Sequence, residues 1–299
     1  MPTPERTKIM GVLNVTPDSF SDGGRYFDHD AAISHGLELI GSGADIIDVG
    51  GESTRPGAVR VDEDEELRRV IPVIRELASA GATISVDTMR ATVAEASLGA
   101  GAHIINDVSA GLSDPSMLTV AARTQAPVVL MHWRGYLDQA SATFHYDDVV
   151  AEVIAELRQR IAEAIAVGIE PANIILDPGL GFSKNAEHNW QILGALEEFA
   201  GLEHRLLVAA SRKRFLSTLL SPEDPKAAGE AAKDQATAAI TALSARAGAW
   251  AVRVHDPATS AIAATVMDAV NTHSPQVEKP CDAETKTATE TNTESETSR

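Results

Sequence analysis

A chain of 299 residues, 44% of them hydrophobic, is long enough to bury one large core, and its net charge of -18 sets it against nucleic acid and anionic membrane surfaces. No apolar stretch approaches the roughly 20 residues that a membrane span needs, residues 1 to 8 lack the apolar segment of a secretory signal, and the single cysteine, Cys281, cannot close an intrachain disulfide. The expectation is a cytoplasmic protein with a small-molecule partner and no nucleic-acid or membrane partner.

From residue 8 onward, short β-branched or apolar runs alternate with longer amphipathic stretches, the pattern of parallel strands joined by helices. The runs are 8–14, 45–49, 83–87, 103–107, 127–132, 173–177, 206–210 and 250–254. The first ends at Asn14, and Pro17 ends it, because a proline cannot donate to a ladder and disfavours the helical region for Thr16. Most are near-continuous, as in Ile46-Ile47, Val128-Val129-Leu130 and Ile174-Ile175-Leu176, which suits strands buried on both faces. Helical patterns occupy 30–42, 64–80, 90–99, 114–124, 147–167, 188–199, 228–247 and 257–270. Eight strands each followed by a helix, with no linker halfway, predict a single α/β domain over residues 8–273, a (β/α)8 or TIM barrel, with a doubly wound sheet as the alternative. Residues 1–7 read as an N-terminal extension. Residues 274–299 hold no aromatic, Leu or Ile and many Thr and Glu, and read as a disordered acidic tail.

Barrel enzymes place their chemistry at the carboxyl ends of the strands. Here those ends carry Asn14, Asp48, Asp87, Asn106 with Asp107, His132, Asp177, Ser211 with Lys213, and Arg253 with His255. Any one of them could be a cap or turn residue, and polarity at all eight points to a site. Arg253 and His255 alternate with Val254 and so leave the last strand in the same direction, where barrels often bind phosphate; Thr54, Arg55 and Gly57 add a hydroxyl, a cation and backbone freedom after the second strand. Asp87, Asn106, Asp177 and Lys213 offer two carboxylates, an amide and an ammonium to a flat heterocycle with amino and keto edges. Lys213 could instead form a Schiff base, as in barrel aldolases. His132-Trp133 reads as a rim packing pair, with Met131 able to lie against a bound ring. Gly-x-Gly at 179–181 lacks the rest of a dinucleotide fingerprint, there is no Walker A or paired-cysteine pattern, and the nine histidines lack zinc spacing.

Gly-Val-Leu-Asn-Val-Thr-Pro-Asp-Ser-Phe-Ser-Asp-Gly-Gly at 11–24 and Asp-Val-Gly-Gly-Glu-Ser-Thr-Arg-Pro-Gly at 48–57 resemble the dihydropteroate synthases. Ser-Val-Asp-Thr at 85–88, Ile-Asn-Asp-Val at 105–108, Leu-Asp-Pro-Gly-Leu-Gly-Phe at 176–182, Ser-Arg-Lys at 211–213 and Arg-Val-His-Asp at 253–256 follow in order, and Met-His-Trp-Arg with Ser-Arg-Lys-Arg-Phe-Leu is similar to the actinobacterial form. That family, the sulfonamide target, condenses 6-hydroxymethyl-7,8-dihydropterin pyrophosphate with 4-aminobenzoate, giving 7,8-dihydropteroate and pyrophosphate.

The resemblance implies that Asp87, Asn106, Val108, Met131, Asp177, Gly181, Phe182, Lys213 and Arg253 hold the pterin. It assigns pyrophosphate to Asn14, Thr54, Arg253 and His255, and Mg²⁺ to Asn14. It gives the aminobenzoate to Phe20, Thr54, Arg55, Pro56, Ser211 and Arg214, and makes Asp22, Arg55, Lys213 and Arg253 catalytic. A homodimer is also implied. Many relatives carry Ser where Arg214 stands, which leaves the aminobenzoate carboxylate without its usual hydroxyl. A pterin-binding paralogue without synthase activity and a Schiff-base aldolase remain the competing readings.

Overall fold

Aliphatic runs separated by helices form eight strands: β1 (Lys8–Asn14), β2 (Ile46–Gly50), β3 (Ile84–Asp87), β4 (Ile104–Asp107), β5 (Val128–Met131), β6 (Ile174–Asp177), β7 (Arg205–Val208) and β8 (Ala251–Val254). Each pairs in parallel with the next, and β1 pairs with β8, closing the ring as a TIM barrel. The structure, a computed structural model, describes residues 6–16, 29–52, 61–135 and 144–274. Most of residues 1–7, all but the first residue of the 274–299 tail, and the site candidates Phe20, Asp22, Thr54, Arg55 and Pro56 lie outside the described residues, as does Gly57.

The helices among the described residues are α1 (His29–Gly41), α2 (Glu63–Ser79), α3 (Ala91–Gly99), α4 (Ser116–Thr124), α5 (Val149–Ala166), α6 (Ala186–Gly194), α7 (Leu196–Ala200), α8 (Arg214–Leu220), α9 (Glu230–Arg246) and α10 (Pro257–His273). Side chains start several of them. Asp62 accepts from the Glu65 amide ahead of α2, Asp148 from Val150 and Ala151 ahead of α5, and Asp256 from Ala258 beside a first-turn Pro257 ahead of α10. Two features depart from the sequence pattern. The stretch 188–199 divides at Ala195 into α6 and α7, and α8 is an extra helix in the connection after β7.

Side chains on a strand alternate between faces, and that period divides the barrel interior into layers. Met10, Ile46, Ile104, Val129, Ile175, Leu207 and Ala251 are buried together as an apolar plug. Two positions further along their strands stand Asp48, Asn106, Met131, Asp177 and Arg253, with Asp87 on β3. The outer faces of the strands pack under the helices in two larger apolar clusters. The polar layer therefore rests on a dry floor, at the carboxyl end where barrel sites form.

Candidate active site

Arg253, from β8, lies at the centre of the polar layer. Its Nε donates to Asp48 Oδ2 at 2.6 Å and its Nη2 to Asp87 Oδ2 at 2.8 Å, while Nη1 makes no hydrogen bond among the described residues. Asn106 Nδ2 donates to the same Asp48 oxygen at 3.0 Å, so its carbonyl oxygen stays available. Asp48 is fully buried, and its Oδ1 has no partner among the described residues. Burial works against the charge of Arg253, and Asp48 and Asp87 outweigh it, holding the guanidinium above its ordinary value. Burial pushes the Asp87 carboxyl up to about 7, with Arg253 pulling it back only part of the way.

The opposite wall comes from the connection after β6. Asp177 Oδ1 accepts from the Gly179 amide at 2.7 Å, which turns the chain. Gly179 has φ +71, and a Cβ there would lie 2.3 Å from the His132 carbonyl oxygen, so only glycine lets the two segments touch. Lys213 reaches across to donate to the Leu180 carbonyl, with its ammonium 4.7 Å from the centre of the Phe182 ring. Burial pushes the Asp177 carboxyl up, opposed by Lys213, and pushes the Lys213 ammonium down to about 8, opposed by Asp177. Met89, Val108 and Met131 are buried side by side with Trp133 and Phe182 packed on them, giving an apolar slot beside the carboxylates. A planar ring with N–H donors on one edge fits such a slot.

At the rim, the Asn14 side chain makes no hydrogen bond among the described residues. Ser211 Oγ accepts from the His255 amide at 3.1 Å and lies 3.0 Å from His255 Nδ1. A Ser211 hydroxyl donating to Nδ1 fixes the neutral His255 ring as the Nε2–H tautomer, with Nε2 as its donor. Arg214 is exposed on the first turn of α8, one residue beyond Lys213. No group of three or more His, Cys, Asp or Glu able to hold a metal occurs among the described residues. Among the described residues, oxygens without a hydrogen bond at this end of the barrel include the Asn14 amide oxygen, the Asn106 amide oxygen and the orphaned Asp48 Oδ1.

Alternation sorts the polar strand ends that the sequence offers. Asn106 faces the interior, whereas Asp107 faces out and accepts from Ser109 and Gly111 to shape the next turn. Met131 faces the slot, whereas His132 is not at the rim: it is buried behind the barrel wall against Glu156 and Lys184. The packing pair expected of His132 and Trp133 is thus corrected, since a polar ring followed by one on the other face of the chain leaves only Trp133 in the slot. Asp48 is visible in sequence as a polar strand end, but its place as the second counter-ion of Arg253 depends on barrel closure over 205 residues.

The chain matches the family described as pterin binding enzymes over residues 10–255. It is 50% identical over 275 residues to the dihydropteroate synthase of Mycobacterium leprae (strain TN), covering 91% of this chain and 96% of that one. Among solved structures, Xanthomonas albilineans dihydropteroate synthase with 4-aminobenzoic acid has a TM-score of 0.81 and 44% identity, covering 91% of this chain and 96% of its own. The X. albilineans enzyme in complex with 7,8-dihydropteroate has a TM-score of 0.79 and 42% identity over 91% and 96% of the two chains.

Proposed function

The chain belongs to the dihydropteroate synthase family of pterin-binding transferases, and from that membership we propose that its polar layer binds 6-hydroxymethyl-7,8-dihydropterin pyrophosphate and condenses it with 4-aminobenzoate. The observation that carries this reading is the juxtaposition of an apolar slot, two buried carboxylates and a half-engaged arginine at one end of the barrel. Asp87, Asn106, Asp177 and Lys213 meet the hydrogen-bonding edges of the ring, and Val108, Met131 and Phe182 meet its face. Pyrophosphate release that requires both substrates tests the assignment; folded protein that releases none would refute it.

The chemistry asked of the chain is mostly electrostatic. The carbon–oxygen bond between the exocyclic methylene and pyrophosphate breaks first, its electron pair leaving with the pyrophosphate, and the cation is delocalised into the pterin. The arylamine lone pair then forms the carbon–nitrogen bond, and the nitrogen gives up a proton. Arg253 Nη1 and the His255 Nε2–H stabilise the charge that grows on the leaving group. The Asn14 oxygen, without a hydrogen bond among the described residues, suits an oxygen-seeking divalent ion held by few protein ligands and the phosphates. Mg²⁺ bound there supplies charge neutralisation of the leaving pyrophosphate. Phe20, Asp22, Thr54, Arg55 and Pro56 are assigned by resemblance to the aminobenzoate and to exclusion of water that would quench the cation.

Two measurements probe the ring site. The free enzyme needs Asp87 ionised and Lys213 protonated, so kcat/KM falls below about 7 as Asp87 gains a proton and above about 8 as Lys213 loses one. A Lys213→Arg variant is expected to carry the alkaline limb above about pH 10 and leave the acid limb in place; an alkaline limb that stays put belongs to another group. Gly181 has φ +75, and an added Cβ would lie 2.8 Å from Lys213 Cδ. Gly181→Ala therefore displaces Lys213 and is expected to raise the pterin KM by about tenfold, with kcat measured in parallel.

A homodimer is proposed through the later helices, where Leu219 and Leu220 of α8, Leu243 of α9, and Ile262, Val266 and Val270 of α10 are exposed. No described helix is long and apolar enough to cross a membrane, and a cytoplasmic location is proposed with the substrate class.

A further inference from the structure

Behind the pterin slot, on the outer side of the barrel wall, runs a line of polar groups that the reaction does not use. Lys184 Nζ lies 2.8 Å from His132 Nδ1 and donates to the carbonyls of Gly179 and Phe182, each at 3.1 Å. His132, 2% exposed, has its Nε2 2.9 Å from Glu156 Oε2. Arg134 binds Glu156 and Glu152 and stacks 4.0 Å above the Tyr146 ring. Tyr146 donates its hydroxyl to the Ser183 carbonyl at 2.9 Å, and the Arg134 amide donates to Ser183 Oγ at 3.2 Å.

Four of these contacts, two from Lys184 and one each from Tyr146 and Arg134, reach one short segment from its back. Residues 179, 182 and 183 are gripped from outside, while the same segment presents the Leu180 carbonyl and the Phe182 ring to Lys213 on the inside. Ser183 holds φ +53, a conformation that a non-glycine residue keeps only when its surroundings enforce it. We infer that Lys184, seated on His132, is a positioning residue for the pterin pocket, acting through the backbone of 179–183 on Phe182 and Lys213 without touching substrate.

The donor arithmetic supports this. An ammonium has three protons, and Lys184 meets three acceptors: the two carbonyls and His132 Nδ1. His132 can accept at Nδ1 only as the neutral Nε2–H tautomer, which in turn donates to Glu156. Burial, with the charges of Lys184 and Arg134, pushes His132 down to about 2 and so keeps it neutral; burial also brings the Lys184 ammonium down to about 7, opposed by Asp177, so all three donors are present below that value. A methionine would fill the same volume without a charge to bury, so the cation's role here is directional: it ties together two carbonyls, of which that of Gly179 also accepts from the Phe182 amide and that of Phe182 would be left without a hydrogen bond among the described residues.

The inference rests on the pocket being the pterin site, so the first measurement is the Kd of 6-hydroxymethyl-7,8-dihydropterin pyrophosphate for the unaltered protein by calorimetry. Absence of binding there would refute the function and say nothing of Lys184. Given binding, Lys184→Met is expected to raise the pterin Kd and KM by about 10- to 100-fold, with the KM for 4-aminobenzoate changed by less than about threefold. His132→Leu is expected to cost about tenfold on the pterin side, and His132→Gln, which keeps an acceptor for Lys184 and a donor for Glu156, to return within about threefold of the unaltered protein. A pterin Kd within about twofold of normal in Lys184→Met, equal rises in both KM values, or a Gln variant as impaired as the Leu variant would each overturn the inference. Should Lys184→Met fail to give a native near-ultraviolet circular dichroism spectrum, the His132 pair decides alone.

Discussion

Replacing Arg253 with methionine is expected to lower kcat/KM for pyrophosphate release by on the order of 10³-fold and to destabilise the fold by about 3–5 kcal/mol. The two losses have separate causes. Arg253 is the hydrogen-bonded counter-ion of two buried carboxylates, Asp48 at 2.6 Å and Asp87 at 2.8 Å, and its removal leaves both charges unpaired inside the barrel. The catalytic loss comes from Nη1, the arm of the fork that neither carboxylate takes. Lysine at this position keeps one positive point and loses the planar fork, so it cannot serve Asp48, Asp87 and an anion together. Lys in place of Arg is expected to recover part of the stability and little of the rate.

A double variant separates the roles. Combining Arg253→Met with Asp48→Asn removes one of the stranded charges and is expected to recover stability, measured as urea midpoint, while turnover stays low. Recovery of both together would make Arg253 a structural counter-ion only. The pH dependence of stability has a definite sign. Asp87 is held above its ordinary value by burial, and Arg253 opposes that rise. Without Arg253 the folded-state value climbs further, so the relative stability of the variant is full below the ordinary carboxylate range and is lost as pH rises through the raised value. Urea midpoints for the single variant should therefore approach those of the unaltered protein at acid pH and diverge toward pH 8.

The architecture was legible because buried parallel strands are written as aliphatic runs, and each predicted run contains or overlaps a strand: 173–177 encloses Ile174–Asp177, and 206–210 overlaps Arg205–Val208. Helix α8 was not, since seven residues carry too little periodicity to separate a helix from a buried loop. The break between α6 and α7 falls at Gly194–Ala195, where glycine weakens the helix, but nothing local marks the stop. Polar strand ends were legible as a class, and the period of two explains which of each adjacent pair enters the site: Asn106 and not Asp107, Met131 and not His132. What no local pattern could show is partnership. Arg253 finds Asp48 and Asp87 across 205 and 166 residues, and Lys184 reaches back 52 residues to His132. Those contacts exist only once the barrel has closed.

Lys213→Met is the second substitution with a large expected effect, on the order of a 10³-fold loss in kcat/KM for the pterin pyrophosphate, and its loss should appear chiefly in KM. The ammonium donates to the Leu180 carbonyl and sits over the Phe182 ring, within the field of both Asp177 and Asp87. Methionine keeps the packing with Phe182 and removes the cation. Asp177, already raised by burial, then loses the charge that opposes the rise and holds its proton to higher pH. A protonated carboxyl presents a donor where an N–H edge of the pterin needs an acceptor, so binding suffers before chemistry does. The same lysine separates the synthase from the Schiff-base aldolase reading. Burial brings its amine down to about 8, which would suit a nucleophile as well as a ring contact. Borohydride added during turnover is expected to leave no mass adduct on Lys213 and no effect on pyrophosphate release. Trapping at Lys213, or a methionine variant that keeps its pterin affinity, would remove the ring contact from the mechanism and leave Asp87, Asn106 and Asp177 to hold the pterin without it.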